Sequence, residues 1–199
     1  APHHRAAAET GLGAGAERSA MASKGAQWAK GDLEQAVVDA GGCAAEMRTW
    51  AQWQSHPQGM ADNAEPLIQF DRHGNHEGKP WRGSVAQPLA GIKVLDLTRV
   101  LAGPVASRFL AGLGADVLRI DPPTWNEPGV VPDVTLGKRC ARLDLHDKAD
   151  RSVFENLLKN ADILLHGYRA DALEGLGYGI AERQKLAPGL IDVCLNAYG

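Results

Sequence analysis

No run of apolar residues in this sequence approaches the ~20 that a helix needs to cross a bilayer. The opening APHHRAAAETG has no apolar segment of the secretory kind, so neither a membrane nor an exported role is expected. Cysteine is scarce: Cys43, Cys140 and Cys194 are odd in number, widely spaced and free of C-x-x-C pairing. That argues against a disulfide framework and a zinc site, and fits reduced thiols in a cytoplasmic protein. A dominant charge is missing too. The 21 basic and 24 acidic side chains leave a formal net charge of −3, and the basic residues form no stripe, so no nucleic-acid partner is expected.

Several chemistry-bearing motifs are absent. Gly11, Gly13 and Gly15 have no strand before them and no G-K-[ST] after them, so they are not a phosphate loop. There is no G-x-S-x-G nucleophile elbow. The pair His73 and His76 in HGNH, with Asp71 nearby, is spaced i, i+3 rather than the i, i+4 of a zinc helix. It sits in a polar, glycine-bearing stretch and reads as a solvated loop, so no metal is expected. His3 and His4 read as a solvated terminus. The chain begins without Met, which fits a processed, trimmed or fragmentary sequence.

What is present is globular. The apolar share of 44% and charged share of 23% match folded averages and support one or two packed domains. The first 30 residues, rich in Ala, Gly and Ser, predict one or two short helices. GDLEQAVVDAGG predicts a helix with Asp32 as N-cap and Leu33, Val37 and Val38 on one face. CAAEMRT then reads as a short strand, and TWAQWQSHPQG as a helix capped by Thr49 and ended at Pro57. EPLIQF reads as a strand entering a polar linker.

From Pro88 the texture changes. IKVLDL, ADVLRI, ARLDL, ADILLHGY and GLIDVCLNAYG read as strands. Between them GPVASRFLAGLG, DKADRSVFENLLKN, DALEGLGYG and IAERQKLAP read as helices, and DPPTWNEPGVVPDVTLGK as an excursion loop. In the first helix Val105, Phe109, Leu110 and Leu113 supply the apolar face, with Pro104 near its start. In the second, Asp147 is the N-cap and Val153, Phe154, Leu157 and Leu158 face inward. The alternation predicts an α/β fold: a parallel Rossmann-like sheet flanked by helices, preceded by a small, mainly helical lobe.

Ligands of such sheets bind outside the carboxyl ends of the strands. The candidates are therefore Arg99–Pro104, Asp121–Pro123, Leu143–Lys148, His166–Arg169 and Asn196–Gly199. TRVLAGP has one glycine where a dinucleotide fingerprint has three, and Pro104 removes a donor, so it makes a poor pyrophosphate cradle. Asp96 and Asp144 lie within strands, where capping and loop hydrogen bonds are the ordinary roles; His166 at a strand end is either a rim hydrogen-bonder or a ligand contact.

Three stretches together resemble the amino-terminal half of family III CoA-transferases of the CaiB/BaiF type. They are PLAGIKVLDLTRVLAGPVASRFLAGLGADVLRIDPP, GKRCARLDLHDKADRSVFENLLKNADILLHGY and LGYGIAERQKLAPGLIDVCLNAYG. GDLEQAVVDAGGCAAEMRTWAQWQSHPQG resembles the small-domain segment that comes late in such proteins. The order implies residues 1–86 as the tail of one module plus a linker, and 87–199 as the coenzyme-binding half of a second.

The resemblance implies coenzyme A as a substrate, with acyl-CoA and a carboxylic acid as partners and a homodimer in the complete protein. It places coenzyme contacts at the main chain of Leu101 and Ala102, at Leu143 and His146, and at Gly167, Tyr168 and Arg169. The chain departs from the family pattern at three points. Pro122 and Gly175 stand where members have arginines, and Gly167 where they have asparagine. Charge-assisted bonds are worth ~1.5–3 kcal/mol each, so a lower affinity is expected unless Arg99, Arg119, Lys138, Arg139 or Arg169 compensates. The family's catalytic aspartate falls beyond Gly199, no residue here is assigned that role, and the chain alone is expected to be inactive. The racemase branch of the same family and a non-catalytic coenzyme-binding or scaffolding half remain the alternatives.

Overall fold

The computed structural model describes residues 2–13, 15, 17–74, 76, 80–81, 83–169 and 171–196, with only the backbone of Pro2 and His3 included. The chain divides into two compact units, Ala1–Glu65 and Pro66–Gly199.

The first unit carries α1 (Pro2–Leu12), α2 (Arg18–Gly25), α3 (Lys30–Asp39), α4 (Trp50–Ser55) and α5 (Pro57–Ala64). Ala7 of α1 and Val37 of α3 are its buried apolar side chains. Helix α3 starts earlier than the sequence predicts: Ala29 is the N-cap and Asp32 lies in the first turn. Val38, expected on the inner face, is 47% exposed. Thr49 caps α4 as predicted, in a capping box with Gln52. Pro57 does separate two segments, but it opens α5, where its missing N–H is harmless.

The strand expected at CAAEMRT does not form. A strand exists only against a partner. Here side chains claim the segment instead: the Glu34 carboxylate accepts the Glu46 N–H at 2.7 Å, and Arg48 pairs with Glu34 and Glu46. The strand expected at EPLIQF is missing for the same reason, and Leu67 and Phe70 are left 98% and 88% exposed.

The second unit is built on β1 (Lys93–Leu97), β2 (Asp116–Asp121), β3 (Arg139–Arg142), β4 (Ile163–His166) and β5 (Ile191–Cys194). All four pairings are parallel, in the order β3-β2-β1-β4-β5. The connecting helices are α6 (Ala102–Gly112), α7 (Val131–Thr135), α8 (Lys148–Asn160), α9 (Ala172–Gly175) and α10 (Ile180–Leu186). The predicted parallel α/β sheet is therefore what forms; α7, inside the proline-rich excursion, is the one element the sequence reading missed there.

The three central strands, β1, β2 and β4, bury both faces, so their side chains sort by period two, while the edge strands β3 and β5 stay largely exposed. Leu95 and Leu97 face one core layer with Ile120, Leu164, Phe154 and Leu158. Val94 and Val117 face the other with Leu110 and Ala111 of α6. Helix α8 is set by its cap, since the Asp147 carboxylate accepts the N–H groups of Ala149 and Asp150. Phe154 is 0% exposed and meets the Tyr178 ring edge-on, centroids 5.0 Å apart. Val153, expected inward, is half exposed.

Helix α6 corrects the sequence reading most. Its buried residues are Gly103, Pro104 and Ser107, while Val105 and Phe109 are 53% and 67% exposed. The cause is close approach: a Cβ on Gly103 would lie 2.3 Å from Thr98 Cβ. Only small residues fit where the helix begins against β1, so Val105 and Phe109 turn outward while Leu110, further along, packs on the Val94 layer.

Candidate functional site

The strand order reverses between β1 and β4, which puts a topological switch point at their carboxyl ends. Leu97 of β1 pairs with His166 of β4 at the last rung. The turns leaving these strands, Thr98–Leu101 and Gly167–Arg169, therefore flank the expected ligand crevice.

The β1–α6 turn is tightly specified. The Asp96 carboxylate, 0% exposed, accepts from Thr98 N–H at 2.9 Å, Thr98 Oγ1, Ser107 Oγ at 2.6 Å and Lys138 Nζ at 2.8 Å. Val100 then adopts φ +68°, a left-handed conformation rarely open to a β-branched residue. Leu101, 69% exposed, caps α6, and Ala102 opens it.

On the β4 side, Gly167 and Arg169 are exposed and Tyr168 is half-buried against the core layer. Burial raises the Tyr168 hydroxyl above its ordinary pKa; the Arg99 guanidinium hydrogen-bonded to it pulls the other way. Leu143 packs on the same layer, its N–H donating to Asp121 O at 3.1 Å. His146 is exposed, and its N–H donates to Asp144 Oδ1. Five of the seven expected coenzyme contacts thus border the switch point: Leu101, Ala102, Gly167, Tyr168 and Arg169. Leu143 and His146 follow β3 at the sheet edge, two strands away from β1. Ala197–Gly199, also named from the sequence, lie outside the described residues.

The basic residues divide sharply. Arg119, 1% exposed, makes a two-point pair with Asp121 (2.7 and 2.9 Å) and lies over the Trp125 ring. Lys138 is committed to Asp96, and Arg139 to Asp116 at the amino end of β2. Arg142 donates to Pro123 O. Of the five cations named from the sequence as substitutes for the missing arginines, Arg99 and Arg169 are the two left at the carboxyl rim.

A second polar cluster lies under β4. His166 Nε2 is 3.2 Å from Asp192 Oδ1, and Arg183 Nε donates to Asp192 Oδ2 at 2.6 Å. Burial presses the Asp192 carboxyl upward, but hydrogen bonds from His166 and Arg183 outweigh it and hold the group below its ordinary range. Arg183 also donates to Tyr178 O. These residues, like Ser107 and Trp125, were not singled out by the sequence reading, apart from His166. The one available signal was Asp192 inside the otherwise apolar segment LIDVCL.

A shallow cavity of ≈170 Å³ lies at the opposite, amino end of the sheet, lined by Lys93, Asp116, Arg139 and Asn160. Parallel sheets place ligands at the carboxyl ends, so the switch point is the stronger site. Among the described residues no three His, Cys, Asp or Glu side chains gather as a metal site, and no helix is long and apolar enough to cross a membrane. Cys43, Cys140 and Cys194 are free thiols.

Comparison with known proteins bears on the family and the fold. The model of CoA-transferase family III matches residues 89–199. An acyl-CoA transferase of Gibberella moniliformis is 32% identical over 184 residues, covering 84% of this chain and 31% of that protein. Human succinyl-CoA:glutarate CoA-transferase is 31% identical over 126 residues, covering 57% of this chain and 29% of the relative. Among solved structures, the Mycobacterium tuberculosis protein Rv3272 superposes with TM-score 0.52 at 33% identity, covering 57% of this chain and 35% of its own. A CAIB/BAIF family protein of Brucella suis gives 0.51 at 27%, covering 55% and 33%. The chain spans about a third of the length of these relatives.

Proposed function

This chain belongs to CoA-transferase family III, and from that premise we propose that its sheet binds coenzyme A across the β1/β4 switch point. The complete protein moves CoA from an acyl-CoA to a carboxylic acid. The observation that carries the reading is the family match over the whole sheet, with the strained β1–α6 turn at the switch point. Main-chain groups of Leu101 and Ala102 line one wall, and Gly167, Tyr168 and Arg169 the other. Leu143 and His146 extend the surface along the carboxyl edge. Arg99 and Arg169 supply the phosphate contacts that Pro122 and Gly175 cannot.

The catalytic nucleophile in this reading is an aspartate beyond Gly199, acting through acyl-anhydride and thioester intermediates. Residues 1–86 are the tail of a preceding module plus a linker. The Gibberella relative supports this order: its match takes in 84% of this chain, a share that the residues from 89 onward are too few to supply alone. The exposed Val105 and Phe109, and the exposed Ile191 and Val193 of β5 with Leu195 after it, fit a homodimer in which further chain covers them.

The second reading is a non-catalytic coenzyme-binding half. It is favoured by one observation: Arg119 and Lys138 are already paired with carboxylates and cannot serve phosphate. Calorimetric titration of CoA into the chain, in parallel with a thioester-exchange assay, tests both. Binding weaker than ~1 μM, or about −8 kcal/mol, is expected, together with a loss of affinity at high salt and in Arg99→Ala. Exchange catalysed by this chain alone would refute the placement of the nucleophile. No binding at millimolar CoA would refute the coenzyme site itself.

A further inference from the structure

We infer that Lys138 is a positioning residue: together with Asp96 and Ser107 it holds the β1–α6 turn in the shape that presents Leu101 and Ala102 at the switch point. Lys138 precedes β3, 42 residues from Asp96 and 34 from Pro104, yet its ammonium group reaches across to both. Its three partners use all three N–H bonds: Asp96 Oδ2 at 2.8 Å, Ser107 Oγ at 2.7 Å and Pro104 O at 3.0 Å. The side chains of Lys138 and Asp96 are both 0% exposed. A buried ion pair is a poor device for stability alone, because desolvation offsets most of the attraction; its gain is geometric.

The geometry in question is the turn. Asp96 holds its start through Thr98, and Lys138 holds its end through Pro104 O. Ser107, one helical turn further on, is bonded to both charged groups. Gly103 is pressed against Thr98 between these ties, and Val100 at φ +68° takes up the reversal. A β-branched residue stays in that conformation only where its surroundings over-determine it. Without the lysine, Pro104 O loses its partner and the far end of the turn keeps only the Ser107–Asp96 bond to the sheet.

The ligand part of this inference rests on the coenzyme reading above; the positioning part stands on the contacts alone. The test compares wild type with the double variant Asp96→Asn/Lys138→Met, which leaves no buried charge without its partner, and with the milder Ser107→Ala. Amide hydrogen exchange is read at residues 99–103 against Val94 and Leu164 in the sheet, and CoA affinity is read by calorimetry. Exchange in the turn should rise about tenfold more than in the sheet in the double variant, less in Ser107→Ala, and CoA affinity should fall about tenfold. A uniform change across turn and sheet, or none, overturns the inference by showing a role in packing only. Unaltered CoA affinity despite a loosened turn overturns its link to the ligand. If wild type binds no CoA, the coenzyme reading fails while the exchange comparison still decides the positioning.

Discussion

Two glycines of the same helix should respond in opposite directions to one change. In Gly103→Ala the new Cβ lies 2.3, 2.4 and 2.6 Å from Thr98 Cβ, Cγ2 and Oγ1. Thr98 is 2% exposed and its hydroxyl is bonded to Asp96, so it has little room to yield. Overpacking of this kind costs ~1–3 kcal/mol, and breaking the Thr98–Asp96 bond adds ~1 kcal/mol. The better helix propensity of alanine returns up to ~1 kcal/mol, leaving a net loss of about 1–3 kcal/mol. In Gly112→Ala nothing lies within 4 Å of the new Cβ, and the variant should gain ~0.5 kcal/mol. Urea unfolding followed by far-UV circular dichroism separates them. With a slope of ~2 kcal/mol/M, a 2 kcal/mol loss moves the midpoint down by ~1 M. A Gly103→Ala midpoint equal to that of wild type would show that α6 is not held against β1 as closely as argued here. A fall in Gly112→Ala as large as that in Gly103→Ala would show that the loss is not local to the contact.

Three further outcomes are expected. Phe154→Ala, at a fully buried site against Tyr178, should cost ~3–5 kcal/mol, measured by the same urea midpoints. Asp147→Ala removes two accepted N–H bonds at the start of α8 and should cost ~1 kcal/mol, with faster amide exchange confined to the first turn. Asp192 has its folded pKa below the unfolded value, so its contribution is complete above the ordinary aspartate range and is lost as pH falls through the folded value. The stability gap between wild type and Asp192→Asn should therefore be widest near neutrality and close in acid; a gap that is constant with pH would contradict the assignment.

The sheet was legible because its signals are redundant. The central strands are short, apolar and bounded by turns, while β3, RCAR, starts two residues before the predicted ARLDL; Asp147 marks a helix start that the structure realises through two N–H bonds. The front of the chain was less legible because its signals are conditional. CAAEMRT and EPLIQF have strand-like composition, but composition cannot supply the neighbouring strand that pairing needs. The inner face of α6 was misread for a related reason. Periodicity finds Val105 and Phe109, whereas the packing is decided by Gly103 and Ser107, whose smallness reads as neutral in sequence. The carboxyl-end rule named the candidate site, yet which cations remain available there depends partly on pairings between distant segments, Lys138 with Asp96 and Arg139 with Asp116, that no local pattern reveals.

Those pairings divide the labour between the two faces of the sheet. On the α6 side, Asp96, Lys138, Arg119 and Asp121 form two charge pairs whose members come from β1, β2 and the residue before β3. On the α10 side, Asp192 gathers Arg183 and His166 from separate elements beneath β4. Each cluster adjoins one turn at the switch point: Asp96 and Lys138 bond Thr98 and Pro104 on either side of Leu101 and Ala102, and His166 immediately precedes Gly167 and Tyr168. Buried charges are costly to leave unpaired, so each cluster tolerates little displacement of its backbone. The turns beside them inherit that rigidity. The proposed coenzyme site, with its main-chain contacts, needs it, because a carbonyl or amide cannot rotate to follow a ligand as a side chain can. The exposed Arg169, and Arg99 with its hydrogen bond to Tyr168, are then the adaptable parts of the proposed site.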